Sequence, residues 1–520
     1  MKRVFIVLVT VICIFVLTSA VAFAASIGVF SDEFVPIFNR TSPEKIVNKL
    51  DPDAAIFQYG YNTWQATVSV EDISLVKEAF VEKGYTLIDA PVIDGALNPP
   101  IVLGAGDRII TLQQTETSVR VVWDECDRDV FSLLVPNEST DTGSVTMVQI
   151  GTERGSDVDN PMIGMCYVYK LSDGSAVVVD GGTRSNADNL YNTLKTLDIA
   201  KDSDDRYVIT AWILTHAHQD HYGTLEVFAE KYSEQADVEY FVHSLPVDKN
   251  VITEDECHVE AFIEHINDSF PKITHIVPHA GLKYHFGNLT LEMLYTFETL
   301  PLIDYSNDTS LIFVADANGG RVLHMGDAGE RAAECTWNQY EPTAFKANAF
   351  QVSHHGLTTG ISDPHKWDYL EKIYGSTEAT IGLLPMGTRY SGDARNGRHN
   401  ALIEMGAVSG TQTSFLLDNR PTYTNLIANS QAEYDKFIAD VEAGISRHET
   451  LYGYNGLNMI FSKNGLTTYI MSTETENMAT VFDLSDDGIK VVCNELLHKW
   501  FESALLDEPE QLCNLLNENK

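Results

Sequence analysis

Positive charge is what this sequence lacks most: 35 lysines and arginines stand against 74 aspartates and glutamates over 520 residues, a formal net charge of -39. A surface of that sign repels polyanions through its long-range field, so nucleic acid is a poor default partner. Bound divalent cations would reverse the sign locally. Cysteine is sparse, seven in all, and no two form a C-x-x-C pair, which excludes a zinc knuckle or dithiol redox centre of that spacing. Beyond Cys13, the residues Cys126, Cys166, Cys257, Cys335, Cys493 and Cys513 stand singly; their even number permits disulfides in an exported chain without requiring them. There is no repeat at a solenoid period and no low-complexity tract. After residue 21 no stretch is apolar enough to cross a bilayer. With 44% hydrophobic and 21% charged residues, the composition is that of a globular protein, too long for one core.

The organisation reads in four parts. Lys2 and Arg3, an apolar run from Val4 to Val21 and the small-x-small pattern Ala22-Phe23-Ala24 predict a signal peptide over 1–24, hence a secreted or cell-surface protein with no membrane segment after cleavage. Residues 25–142 carry a helical pattern at Val70–Lys83 and a strand-like run at Ser118–Trp123, and read as an accessory α/β domain that ends in the polar, turn-rich stretch from Pro136 to Gly143. From 143 to 429 short buried strands (Val145–Ile150, Cys166–Lys170, Ala176–Asp180, Arg206–Thr215) alternate with helical patterns, and Asn318-Gly319-Gly320 marks a hairpin. This is a layered α/β domain with two sheets. Residues 430–520, with helical stretches at Ala432–Ile445 and Cys493–Leu505 and a hairpin signal at Lys463-Asn464-Gly465, read as a C-terminal extension or a small domain.

The chemistry concentrates in Thr215-His216-Ala217-His218-Gln219-Asp220-His221, where an apolar strand runs into a histidine-rich turn. Side chains alternate along an extended backbone, so His216 and His218 point the same way and can grip one metal. Asp220 and His221 lie past the turn, where they can serve a second ion. Imidazole and carboxylate ligands suit zinc best, with manganese and iron as alternatives.

The order H-x-H-x-D-H at a strand end resembles the defining motif of the metallo-β-lactamase superfamily, and further landmarks follow it in the family's order. Asp180-Gly181-Gly182 is similar to the early D-G-G turn that supports the metal loop; His324-Met325-Gly326-Asp327 is similar to the later G-D; Ser353-His354-His355-Gly356 looks like the H-H-G that supplies a last histidine. The resemblance implies a four-layer αββα sandwich over 143–429 holding two divalent metals, with Asp327 bridging them. Of the last two histidines His354 is the expected ligand, because it comes first after the strand pattern Ala349–Ser353; His355 is then left to act with Asp220 in catalysis. A further family histidine for the first metal is not evident. His243, which follows an apolar strand, and His399, in Gly397-Arg398-His399-Asn400, are candidate substrate or metal contacts.

Two metals sharing a water lower its pKa and generate hydroxide near neutral pH, so the expected function is a metal-dependent hydrolase. The H-H-G and the Asn307-Asp308-Thr309-Ser310 stretch look most like the branch that includes the extracellular domain of competence DNA-uptake proteins and the phosphorylcholine esterases of teichoic acid. That resemblance implies a phosphodiester substrate, small or part of the cell envelope. A lactone, ester or lactam hydrolase and a non-catalytic surface-binding protein are the alternatives.

Overall fold

A computed structural model describes residues 41–125, 129–135, 143–150, 164–247, 258–299, 306–356, 368–379, 381–383 and 385, and strands at 459–463, 466–471, 479–485 and 488–491. The signal-peptide pattern, His399, and the helical patterns at Ala432–Ile445 and Cys493–Leu505 lie outside the described residues.

The N-terminal region builds an antiparallel sheet from β1 (Ile56–Gly60), β2 (Thr63–Val68), β3 (Thr86–Ile88), β4 (Ile101–Ala105), β5 (Arg108–Gln114) and β6 (Val119–Glu125), in the order β1-β2-β6-β5-β4-β3. The helices Pro43–Leu50 and Ile73–Val81 pack on one face, where Val47, Val76 and Phe80 meet Ile110, Leu112 and Val121. Asp72 caps the second helix by accepting from Ser74 N at 2.8 Å, which starts it at Ile73, inside the periodic pattern. Ile109 and Val102 point the other way, into the main core. Coverage of both faces buries β5 at every position between its two ends, Thr111 and Gln113 included, where a half-solvated strand would alternate.

The second sheet begins with β7 (Val145–Ile150), β8 (Cys166–Lys170), β9 (Ala176–Asp180), β10 (Tyr207–Leu214), β11 (Ala236–His243) and β12 (Thr274–Ile276). β9 to β12 run parallel, and each connection from β9 to β12 crosses over through a helix (Ala187–Thr196, Gln219–Tyr232, Val259–Ser269). Alternation assigns the faces. On β9, Val177 and Val179 face the opposing sheet, while Ala176 and Val178 face the helices with Leu190, Leu194 and Phe228. Trp212 on β10 is fully buried against Phe228, ring centroids 5.3 Å apart, so its truncation to alanine would cost about 3–5 kcal/mol.

The third sheet contains β13 (Lys283–Phe286), β14 (Leu289–Tyr295), β15 (Ile312–Ala317), β16 (Gly320–His324), β17 (Ala349–Gln351), β18 (Ile381–Leu383), β19 (Met459–Lys463) and β20 (Leu466–Met471), ordered β13-β14-β15-β16-β17-β18-β20-β19. Asn318 and Gly319, both at positive φ (53° and 94°), close the two-residue β15–β16 hairpin that the sequence signals. The helices Glu330–Trp337 and Asp368–Thr377 cover the outer face through Ala332, Ala333, Leu370 and Ile373. The chain then returns to the second sheet, where β21 (Ala479–Ser485) pairs antiparallel with β7 and β22 (Gly488–Val491) forms the edge. The result is the expected αββα sandwich, and the C-terminal segment supplies strands to both of its sheets.

A buried ionic cluster joins the N-terminal sheet to the sandwich. His279 places Nε2 at 2.7 Å from Asp124 Oδ2 on β6 and Nδ1 at 3.0 Å from Glu298 Oε2. Burial opposes a charge on this ring, but the two carboxylates outweigh it and push its pKa up to about 10. Arg120 and Gln65 donate to Glu298 O at 3.0 and 3.2 Å, and the rings of Tyr59 and Phe297 stack beside them at 4.3 Å. Cys166 and Cys335 are free thiols.

Candidate metal centre

β10 delivers the histidine-rich motif to the edge of the sandwich. The helix that follows starts at Gln219, earlier than the apolar pattern suggests, so Asp220 and His221 occupy its first turn and His218 its N-cap position. The helix lies close against the Asp180-Gly181-Gly182 turn: a Cβ on Gly223 would stand 2.9 Å from Arg184 N, and one on Gly181 would stand 2.7 Å from Thr224 Cβ. Glycine is required at both contacts.

Two groups of side chains offer atoms for a metal, one of His216, His218 and Asp327 and the other of Asp220, His221 and His355, the ligand atoms within each lying no more than 4.8 Å apart. His216 Nε2 and His218 Nδ1 are 3.0 Å apart, and His221 Nε2 and His355 Nε2 are 3.2 Å apart. Asp327 stands between the groups: Oδ1 is 3.2 Å from His221 Nε2 and 3.5 Å from His355 Nε2, and Oδ2 is 3.8 Å from His216 Nε2. Gly326, at φ 53° with Ser310 Cβ 2.9 Å from where its own Cβ would be, lets the chain turn tightly enough to aim Asp327 inward.

The far nitrogens are tied back, which fixes how the near ones point. His221 Nδ1 lies 2.7 Å from Asp180 Oδ2, His216 Nδ1 lies 3.1 Å from Thr215 Oγ1, and His355 Nδ1 lies 2.7 Å from Pro385 O. Asp180, buried and at φ 55°, also accepts from Thr215 N at 2.7 Å and from its hydroxyl at 2.9 Å. Each of these three rings therefore donates backwards and presents Nε2 to the cluster.

The electrostatics match a cation. Burial alone would keep His221 and His355 neutral, yet Asp327 with Asp180 and Asp220 raises His221 well above the usual histidine range, and Asp327 with Asp220 raises His355 to about 9. Burial likewise works against ionised Asp220 and Asp327, and the adjacent histidines more than offset it, holding both carboxyls below their usual range. His216 is buried and stays neutral. Asp327 Oδ1 is buried without a well-formed hydrogen bond and has only the ring nitrogens of His221 and His355 near it, the place where a shared cation would complete both carboxylate and imidazoles. The residues present thus fit divalent metals.

The geometry exchanges the two histidines of the H-H-G. His355, rather than His354, places Nε2 in the group with Asp220 and His221, 3.2 Å from Asp220 Oδ2. His354 is half-buried, with Nε2 3.8 Å from Asp327 Oδ2 and 3.4 Å from Asn307 Nδ2. Both residues adopt left-handed backbone (φ 49° and 54°), a conformation costing roughly 1–2 kcal/mol per non-glycine residue, and this coil turns His355 inward. His243 does not join the cluster. Its Nε2 lies 2.9 Å from His275 Nδ1 and its Nδ1 accepts from Leu245 N at 3.3 Å, while His275 Nε2 lies 2.7 Å from Asn267 Oδ1, so the chain is satisfied with both rings neutral. Burial lowers both pKa values, that of His275 to about 4.

Solved structures similar to this chain include the metallo-β-lactamase fold protein YhfI from Bacillus subtilis (15% identity over 46% of this chain and 86% of that one, TM-score 0.30). Human tRNase Z, short form, matches with 14% identity over 46% and 92% of the two chains and a TM-score of 0.27. A HARLDQ-motif mutant of a metallo-β-lactamase from Cronobacter sakazakii matches with 15% identity over 57% and 94% and a TM-score of 0.25. No curated protein matches the sequence at a significant level. Residues 159–361, which hold the D-G-G turn and both groups of side chains, match the family model described as the metallo-beta-lactamase superfamily.

Proposed function

We propose that this protein is an exported metal-dependent hydrolase whose substrate is a phosphodiester. The observation that carries the reading is the arrangement of two groups of side chains on either side of Asp327, with Asp327 Oδ1, which lacks a well-formed hydrogen bond, between them. When bound, a pair of divalent ions supplies a water nucleophile at neutral pH and neutralises charge on the reacting oxygens, an arrangement suited to in-line displacement at phosphorus. In this assignment His216, His218 and Asp327 would hold one ion and Asp220, His221 and His355 the other. Zinc is the first choice for these donors, followed by manganese or iron.

The chain's own side chains supply the rest. Asp220 combines a ligand position with an oxygen able to accept from the attacking water, which orients it. Asp180 keeps His221 in one tautomer and one orientation. His354, half-buried with Nε2 3.8 Å from Asp327 Oδ2, is placed to donate to an ester oxygen or to the leaving group of a substrate held over the cluster. The bond to the water oxygen forms as the bond to the leaving oxygen breaks, and the water's proton ends on the leaving group.

Two features of the sequence support the finer reading. The leader-like residues 2–24 support export, and the resemblance of the H-H-G and Asn307–Ser310 stretches to the competence-protein and phosphorylcholine-esterase branch supports a phosphodiester. A net charge of -39 favours a substrate with a cationic or neutral portion over a polyanion.

The test is metal content together with hydrolysis of bis(p-nitrophenyl) phosphate, p-nitrophenyl phosphorylcholine and an acyl ester panel by the mature protein and by Asp220→Ala. About two metals per chain, with phosphodiester turnover lost in the variant, is the expected result. Metal with acyl turnover alone would replace the substrate class, and absence of metal would overturn the mechanism.

A further inference from the structure

The turn from Ser306 to Ser310 runs along the rim of the His–Asp cluster and is braced on nearly every side. Tyr295 Oη donates to Asp308 O at 2.6 Å, Arg331 Nη1 donates to the buried Asp308 carboxylate at 3.2 Å, and Thr309 Oγ1 donates to Ser306 O at 2.7 Å. Ser310 Oγ accepts from Asp327 N at 3.0 Å, and Leu311 N donates to Thr215 O at 3.0 Å, so the turn is fastened both to the aspartate between the two groups and to the residue before His216.

One side chain of this rigid turn is left over. Asn307 Oδ1 is buried without a hydrogen-bond partner, and its Nδ2 has only a long 3.4 Å approach to His354 Nε2. His354 Nδ1 is buried and unpartnered as well. Reversing the amide does not remove the mismatch, because the nitrogen then becomes the unmatched atom. Leaving such groups unsatisfied is costly, and side chains held at a site in that state are completed by something that enters it.

We propose that Asn307 is a substrate-binding residue: with its amide reversed, Oδ1 accepts from His354 Nε2 and the unmatched Nδ2 donates a hydrogen bond to a non-bridging oxygen of the ester held over the cluster, on the side that His354 occupies. This rests on the hydrolase reading above and names a donor for it. With metals held, the carboxylates and imidazole nitrogens of the cluster would be engaged as ligands and would offer no donor of their own. A substrate oxygen that points away from the ions needs a donor, and among the described residues Asn307 and His354 are the polar side chains at that rim with unmatched atoms. Pre-positioned donors of this kind act on charge that grows in the transition state, and the bracing of the turn means that little reorganisation is needed when the oxygen arrives.

The experiment compares the metal-loaded full chain with Asn307→Leu, nearly isosteric but without donors, and Asn307→Ser, a smaller change that guards against misfolding of the first. Inorganic phosphate binding is measured by calorimetry alongside metal content. Turnover is measured with bis(p-nitrophenyl) phosphate and with its phosphorothioate, whose sulfur is a poor acceptor. Expected are unchanged metal content, phosphate affinity weaker by about tenfold or more, and kcat/KM reduced on the order of 100-fold. The penalty for sulfur in the wild type should shrink in the variants, which a purely structural role would not produce. Phosphate affinity within about twofold of wild type, an unaltered sulfur effect or loss of metal from both variants would overturn the assignment. If phosphate binding depends on Asn307 while the wild type cleaves no phosphodiester, the substrate reading fails and the Asn307 contact stands.

Discussion

Asp180 holds His221 from behind, Oδ2 to Nδ1 at 2.7 Å, so that the opposite ring nitrogen faces Asp327 and His355. In Asp180→Asn the acceptor for Thr215 N can be kept, but an amide nitrogen can meet the ring and the tautomer is no longer fixed. Metal affinity at the group of Asp220, His221 and His355 should fall by about 10- to 100-fold. Titration against a competing chelator checks this; affinity unchanged within twofold would mean that the carboxylate does not tune the ring.

The two histidines of the H-H-G separate by substitution. His355→Ala removes Nε2 from the cluster and should leave about one metal per chain. His354→Ala should keep about two and lose turnover. Elemental analysis of both variants decides between them, and the opposite pattern would restore His354 as the ligand.

His243→Asn should leave metal stoichiometry untouched, because His243 spends both ring nitrogens on His275 and Leu245. A loss of metal in a folded variant would show that the ring reaches the centre after all. Its neighbour sets an acid limit on the fold. His275 is held neutral down to about 4, below its unfolded value near 6.5, so its contribution is present above about pH 6.5 and is lost as the pH falls towards 4. Thermal midpoints from pH 7 to 4 should drop less steeply in His275→Asn than in the wild type.

His279 behaves in the opposite sense. Its folded pKa of about 10 lies above the unfolded value near 6.5, so the clamp to Asp124 and Glu298 stabilises fully below about pH 6.5 and weakens as the pH rises through 10. His279→Gln should cost about 3–5 kcal/mol at neutral pH by leaving two buried carboxylates without their cation. Denaturant unfolding at pH 6.5, 8.5 and 10 reads the slope; a variant with the same pH dependence as the wild type would place the charge elsewhere.

The chemistry was legible in the sequence wherever it is local. His216, His218, Asp220 and His221 fall within six positions, and one strand end plus one helical turn brings them together. The start of that helix was not legible, because its first turn is polar and shows no apolar period. Nor was the inward turn of His355, which depends on two residues in left-handed backbone and on the carbonyl of Pro385, thirty positions away. The Asp124–His279 pair spans 155 positions and leaves no mark in either segment. The succession of short buried strands and helical patterns did give a layered α/β domain with two sheets, whereas the hairpin signal at 463–465 said nothing about which strand would receive β20.

The late strands have a consequence for the order in which the molecule is made. β18 gains its second neighbour, beside β17, only when Leu466–Met471 is available, and β7 its second, beside β8, only when Ala479–Ser485 is. Until then β18 and β7 themselves are edge strands of the two sheets, the kind of surface that pairs with other chains. A nascent chain holding all of Asp180, His216, His221, Asp327 and His355 is still more than a hundred residues short of closing both sheets. Pairing of both sheets is therefore tied to synthesis of the chain through Ser485, well beyond the last residue of the metal cluster.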